Sequence, residues 1–186
     1  MLKIEEFTNL DHINNIVLGG AGFLGSHLVD KLLEKGENVL CLDNLSSGKL
    51  DNIKHIKEFE RFNFINHDIL TPFDSKIPID KIWHLASPAS PNFYQDEPLK
   101  TIRVIYEGTY NALVCANNNS SKFLFTSTSE VYGVTKNNPQ TENMSISLST
   151  SSPRACYSEA KRLAETLVKT FTNIYKLDTR IARVFN

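Results

Sequence analysis

Apolar residues in this chain fall into short continuous runs separated by longer stretches of helical spacing. Ile16 to Leu18 is a short buried-type strand that runs into a glycine-rich turn, Gly19-Gly-Ala-Gly22-Phe-Leu-Gly25. Phe23, Leu24, Leu28, Leu32 and Leu33 then recur at helical intervals, and Gly36 stands where a left-handed C-terminal cap belongs. Asn38 to Leu42 predicts a second strand closed by Asp43-Asn44. A short helix is expected over Leu50 to Phe59, followed by a strand over Phe62 to Ile65 that ends near Asp68. Further strands are expected at Lys81 to Leu85, Lys122 to Thr126 and Thr179 to Phe185. Long helices are expected from Pro98 to Asn117 and around Tyr157 to Tyr175, the latter with Leu163, Leu167, Thr170 and Ile174 as its packing stripe.

Strand and helix in near-regular alternation imply an α/β fold, a doubly wound parallel sheet covered on both faces. Residues 1–14 read as an N-terminal extension and 15–186 as one Rossmann-type domain. Asn137 to Ser152 is polar, Ser/Thr-rich and aperiodic, which predicts an irregular loop over the site. Asn186 falls at the end of a strand, where a domain boundary seldom lies, so the chain reads as cut short.

Charge narrows the partners. Twenty Lys and Arg stand against 21 Asp and Glu, leaving no electrostatic footprint for nucleic acid or an anionic membrane. Cys41, Cys115 and Cys156 are widely spaced, with no paired Cys or His spacing that suggests a metal. They read as incidental thiols of a reducing compartment. Met1 to Asn15 lacks the apolar core of a signal peptide, and no apolar run reaches membrane-spanning length. A soluble, cytoplasmic protein is the expectation.

The glycine turn has a strand before it, an amphipathic helix after it and an acid at the end of the next strand. In that context Gly19 and Gly22 let the backbone approach a pyrophosphate, Gly25 lets helix and sheet pack closely, and the helix N-terminus offers free N–H groups. Asp43 would accept hydrogen bonds from an adenosine ribose and repel a 2′-phosphate, which favours NAD over NADP. The bland alternative is a turn that serves packing alone. Asp68 has two open readings, an adenine contact or a solvated turn residue.

Tyr157 and Lys161 stand four residues apart and so share a helix face. A neighbouring ammonium, together with the positive ring of NAD⁺, favours phenolate and makes Tyr157 a base for a sugar hydroxyl. Thr128 and Glu130 follow a strand at the carboxyl edge of the sheet, where Thr128 is placed to donate to a reacting oxygen and Glu130 to act as a second acid/base. Each motif alone also occurs by chance. His84 reads as a strand residue with a satisfied ring, not as a ligand.

The glycine turn, Asp43-Asn44, His84-Leu-Ala-Ser-Pro-Ala-Ser-Pro91, Ser127 to Gly133, Pro153-Arg-Ala-Cys-Tyr157 and Arg180 to Asn186 resemble the extended short-chain dehydrogenase/reductases. Within them the UDP-glucuronate decarboxylases are the most similar, over about Asn15 to Asn186. The resemblance implies Thr128, Glu130, Tyr157 and Lys161 as catalytic residues. It implies NAD contacts at Phe23, Leu24, Asn44, Ser46, Ser47, Asp68, Ile69, Leu85 and Ser87, with Tyr157 and Lys161 also touching the cofactor. Substrate contacts are implied at Asn111 and Asn186, with Tyr94 and Pro88 to Pro91 as further candidates. The implied reaction oxidises UDP-glucuronate at C4, loses CO₂ from the resulting β-keto acid and reduces the ketone to UDP-xylose. A sibling 4-epimerase or 4,6-dehydratase, or a non-catalytic NAD-binding module, are the alternatives. A homodimer through the helices near Pro98–Asn117 and Tyr157–Tyr175 is implied as well. Two departures stand out: Leu18 replaces a usual threonine, and 144–150 lacks the family's usual residues. The family continues into a smaller substrate domain, so 1–186 is expected to hold NAD without turning over a UDP-sugar.

Overall fold

A computed structural model describes residues 1–133, 139–144 and 148–185. The strands are β1 (Leu2–Lys3), β2 (Ile13–Leu18), β3 (Val39–Asp43), β4 (Phe62–Asn66), β5 (Phe73–Asp74), β6 (Ile79–His84), β7 (Lys122–Thr128) and β8 (Thr179–Val184). The helices are α1 (Phe23–Glu34), α2 (Pro91–Asp96), α3 (Pro98–Asn118) and α4 (Ala155–Tyr175).

Six strands form one parallel sheet in the order β4-β3-β2-β6-β7-β8. This is the doubly wound Rossmann order, with the switch of direction between β2 and β6. The fold expected from the alternation is the one observed. The apolar runs are continuous because both faces are covered: every residue of β3 is buried. Val17, Val39 and Cys41 face Val29 and Leu32 of α1, whereas Ile16, Leu40 and Leu42 join the cluster that holds α3 and α4. The α1 helix ends in a Schellman motif, Gly36 N–H to Leu33 O at 2.8 Å and Glu37 N–H to Leu32 O at 3.2 Å, around Gly36 at φ +77°.

Residues before Asn15 are tied to the body. Leu2 and Lys3 pair with Phe73 and Asp74, Ile4 is fully buried in the main core, and β2 begins at Ile13. On the α1 side of the sheet, β6–β8 present Trp83, Leu124 and Arg180 around a shallow depression of about 200 Å³.

Two expectations are corrected. The helix expected over Leu50 to Phe59 is a pair of single 3₁₀ turns, Leu50–Asn52 and Lys54–Ile56. Ile53, at φ −123°, breaks the helical path between them and buries its side chain with Ile56 beside α1. The stripe Leu163, Leu167, Thr170, Ile174 is not the packing face of α4: Leu163 is 48% and Ile174 64% exposed. The buried face runs through Tyr157, Lys161, Ala164, Val168 and Phe171. Described residues between 139 and 154 form turns, as the aperiodic composition predicts; 137, 138 and 145–147 lie outside the described residues.

Candidate active site

A cavity of about 390 Å³ opens at the carboxyl ends of the strands, over the switch point. One end is made by the glycine turn. Gly19 has φ +82°, and a Cβ there would stand 2.8 Å from the backbone of Ala86. A Cβ on Gly25 would stand 2.1 Å from Gly19 O, so only glycine lets the start of α1 pass this close to the turn. The first α-type hydrogen bond of α1 is Ser26 N–H to Gly22 O at 3.0 Å, so the N–H groups of Phe23, Leu24 and Gly25 precede the ladder. With the helix dipole they give the cavity wall of Gly19, Gly22, Phe23, Leu24 and Gly25 a positive character that suits an anion.

Asp43 fixes this end. Its carboxylate accepts the Ala21 N–H at 3.0 Å and the Leu45 N–H at 2.8 Å. A carboxylate offers about four lone-pair sites, so two remain for ribose hydroxyls. Asn44 donates to Asp68 Oδ2 at 3.1 Å, joining the β3 and β4 loops, and Asn44, Ser46, Ser47, Asp68 and Ile69 line the same cavity. Leu85, Ser87 and Pro88 form the wall after β6.

The other end is made by side chains. Thr128, at the end of β7, caps the following turn by accepting the Glu130 N–H at 3.2 Å, and its own hydroxyl hydrogen is directed to Tyr157. Tyr157 and Lys161 enter from α4, and all four residues line the cavity. Lys161 is 2% exposed; its ammonium donates to Thr126 O at 2.8 Å and lies 4.7 Å from the Phe125 ring centroid. Burial pulls Lys161 down to about 7, with the Glu165 charge opposing. Glu165 is itself gripped by Arg183 in a two-point pair at 2.9 and 2.7 Å. Burial also pushes the Tyr157 phenol up to about 12, against hydrogen bonding from Thr128. In the protein alone burial outweighs the polar neighbours and the phenol keeps its proton; the phenolate was expected beside the positive ring of NAD⁺.

Two expected substrate residues make other contacts. Tyr94 does not line the cavity; it is fully buried and stacks on Tyr157, with ring centroids 4.8 Å apart and planes 5° apart. Asn111 donates both amide hydrogens to the Ile69 and Leu70 carbonyls, at 2.9 and 3.1 Å, and so braces the loop after β4 from α3. Asn186 lies outside the described residues. His84 is buried, with Nε2 3.0 Å from Thr109 Oγ1 but Nδ1 unpartnered, and burial holds it neutral by lowering it to about 3. Sequence reasoning missed His67, Phe93, Lys100 and Val104, which also wall the cavity. The four-residue spacing of Lys100 and Val104 at the start of α3 was the available signal for the last pair. Among the described residues no cluster of His, Cys, Asp and Glu suits a metal ion.

The profile of the GDP-mannose 4,6-dehydratase family matches residues 16–186. UDP-glucuronic acid decarboxylase 1 of Arabidopsis thaliana is 44% identical over 171 residues, 92% of this chain and 39% of that protein. Its namesake in Danio rerio is 43% identical over 183 residues, 98% of this chain and 43% of that protein. The chain thus spans less than half the length of these two relatives. Among solved structures, UDP-N-acetylglucosamine 4-epimerase from Methanobrevibacter ruminantium, in complex with UDP-N-acetylmuramic acid, superposes with TM-score 0.79 at 31% identity, covering 94% of this chain and 55% of that one. The dTDP-glucose 4,6-dehydratase of Streptomyces venezuelae, with NAD bound, gives 0.81 at 26% identity, covering 92% and 55%. The doubly wound sheet, the glycine-walled crevice and these matches together place the chain in the GDP-mannose 4,6-dehydratase family of extended short-chain dehydrogenase/reductases.

Proposed function

We propose that the chain carries the cofactor-binding and proton-handling part of an NAD-dependent UDP-glucuronate decarboxylase. The observation that carries this reading is the meeting of Thr128, Glu130, Tyr157 and Lys161 in one cavity with the glycine turn and Asp43. The residues suit a dinucleotide. The unladdered N–H groups of α1 take the pyrophosphate, the spare lone pairs of Asp43 take the ribose, and Ile69 and Leu85 offer apolar walls. When bound, NAD supplies the hydride acceptor at C4 and afterwards the hydride donor.

With the positive ring of bound NAD⁺ favouring loss of the phenol's own proton to solvent, Tyr157 as phenolate takes the proton of the sugar 4-hydroxyl, and the Thr128 hydroxyl beside it steadies the same oxygen. Oxidation makes a 4-keto sugar whose C5 carboxylate is β to the ketone. The C5–C6 bond then breaks, CO₂ leaves, and its electron pair passes into the carbonyl as an enolate. Glu130 passes a solvent-derived proton to C5, where it takes the place of the lost CO₂, and Tyr157 returns the first proton to O4 as the ketone is reduced. Lys161 supports Tyr157 electrostatically when charged; near neutral pH it is poised between its two forms.

The 43–45% identity to proteins named UDP-glucuronic acid decarboxylases supports decarboxylation over its siblings. The epimerases and dehydratases among the similar structures support a second reading, 4-epimerisation or 4,6-dehydration of a nucleotide sugar. Release of CO₂ from carboxyl-labelled UDP-glucuronate, with UDP-xylose formed, supports the first; a changed sugar without CO₂ overturns it in favour of the second. Calorimetry with NAD and then UDP reads how much of the machinery 1–186 carries, and NAD binding without UDP binding assigns it the cofactor part alone.

The same proposal includes a homodimer through the outer faces of α3 and α4, where Leu99, Ile102, Tyr106 and Tyr110 meet solvent beside Leu163 and Ile174. It also includes a cytoplasmic setting, supported by three free thiols, two of them buried and pushed up by burial. Among the described residues no helix is long and apolar enough to cross a membrane.

A further inference from the structure

The loop after β6 carries the short helix α2 directly beneath the catalytic end of α4. Tyr94, on α2, is among the largest fully buried side chains of the protein, yet it is no ordinary core residue. Its ring lies face to face with that of Tyr157, with centroids 4.8 Å apart and an interplanar angle of 5°. Its hydroxyl points to Glu130 Oε1 at 3.4 Å, and Arg154 reaches the same oxygen at 3.4 Å. Its carbonyl accepts the thiol of Cys156, the neighbour of Tyr157, at 3.4 Å. One side chain thus touches two groups of the site by different means, and its backbone is tied to the first turn of α4.

We propose that Tyr94 is a positioning residue for Tyr157: its ring is the platform on which the phenol stacks, and its hydroxyl ties that platform to the Glu130 carboxylate. The proposal rests on the reading of Tyr157 as proton acceptor. A phenol on one freely rotating Cβ–Cγ bond can turn its ring broadly. A parallel partner restricts that rotation and keeps the oxygen directed at the cavity. The stack also shields Tyr157 from water on one face, and burial is the leading cause that holds its phenol up at about 12. Tyr157 is faced by Glu130 from the turn after β7, by Tyr94 from α2 and by Lys161 from its own helix. Glu130 and Tyr94 both oppose ionisation, so the proton rests on the phenol. Phe at position 94 would keep the platform and lose the tie; Leu would lose both.

The test uses the chain with ¹³C-labelled tyrosine, and the Tyr157 signals are assigned by their loss in Tyr157→Phe. The wild type and Tyr94→Phe are expected to keep the upfield displacement of Tyr157 ring protons that a stacked neighbour causes, whereas Tyr94→Leu loses it. At pH 11 about a tenth of Tyr157 is ionised for a phenol near 12, and Tyr94→Leu, which opens one ring face to water, is expected to raise that fraction several-fold. Tyr94→Phe, which keeps the shielding ring and loses only the smallest opposing influence, stays closer to the wild-type fraction than Tyr94→Leu. Should Tyr94→Leu fail to fold, Tyr157→Leu on the cavity wall gives the reciprocal reading, loss of the upfield displacement from the Tyr94 ring. Tyr157 signals and ionisation that ignore Tyr94→Leu, or Tyr94 signals that ignore Tyr157→Leu, overturn the positioning role and leave the acid–base reading standing. Normal turnover by Tyr157→Phe would instead remove the acid–base reading and leave the stack as packing.

Discussion

The two ends of the cavity are built from different materials. At the α1 end the surface is backbone: glycines, unladdered N–H groups and a carboxylate that spends half its capacity on main-chain amides. At the α4 end it is side chain: a phenol, an ammonium, a hydroxyl and a carboxylate, most of them buried. A backbone surface is fixed by sterics and changes little with pH. A side-chain surface is set by burial and neighbouring charge, and its chemistry shifts with both. The contrast explains why one end is intolerant of an added methyl group while the other is tunable by protonation.

The sharpest way to break this division is Tyr157→Phe. On the proposed decarboxylation, read in a chain that also carries a substrate domain, it should lower kcat by about 10³-fold, within the range of general acid–base catalysis, while NAD affinity by calorimetry changes little. A comparable loss of NAD affinity would show that the two ends are not separate. Next comes Gly25→Ala, whose Cβ meets Gly19 O at 2.1 Å. With backbone on both sides and nothing flexible to yield, it should cost about 3 kcal/mol, the upper end of overpacking, read by urea unfolding and equal at pH 6 and pH 8. Retained stability would mean that the turn can shift.

A pH profile of stability sharpens the other end. Lys161 is pulled down to about 7 when folded, so the unfolded chain binds more protons above that pH and stability rises with pH. The rise should amount to roughly 1.5 kcal/mol between pH 7 and 8.5. Above pH ~8.5 the sign reverses, because buried Cys41 and Cys115 keep protons that the unfolded thiols release, and Tyr157 does the same above pH ~10. Lys161→Met should flatten the rise, and an unchanged profile would refute the buried-ammonium account. The smallest effect on stability is expected at Ile102→Glu, an exposed site on α3: within about 0.5 kcal/mol of wild type. Light scattering should nevertheless show dissociation of the dimer, and a wild type that is monomeric removes that part of the proposal.

Legibility in the sequence follows the same division. The glycine turn, its flanking strands and Asp43 could be read because backbone needs leave local marks: glycine where a Cβ cannot fit, an acid where a strand ends. The doubly wound parallel sheet followed from the alternation of strand and helix. The α4 packing face was misread because counting apolar residues favours Leu163 and Ile174, whereas the buried face mixes Ser158, Lys161 and Glu165 with small Ala160 and Ala164. Those polar groups are tolerated inside because Thr126 O receives the Lys161 ammonium and Arg183 receives the Glu165 carboxylate. Such partners come from other elements, and helical spacing carries no trace of them. The contacts that Tyr94 and Asn111 make were illegible for a related reason. Their partners, Tyr157 in one case and the Ile69 and Leu70 carbonyls in the other, are met only through the tertiary fold.

Trp83 is the single tryptophan of the chain; its indole N–H is anchored to Asn15 Oδ1 at 2.9 Å beside the depression over β6–β8. Its fluorescence is therefore an intrinsic optical gauge for that half of the sheet, with no dye to attach. Emission moves to shorter wavelength when another surface seals the strands and to longer wavelength when water floods them, so one spectrum can tell a covered sheet from a bare or melted one.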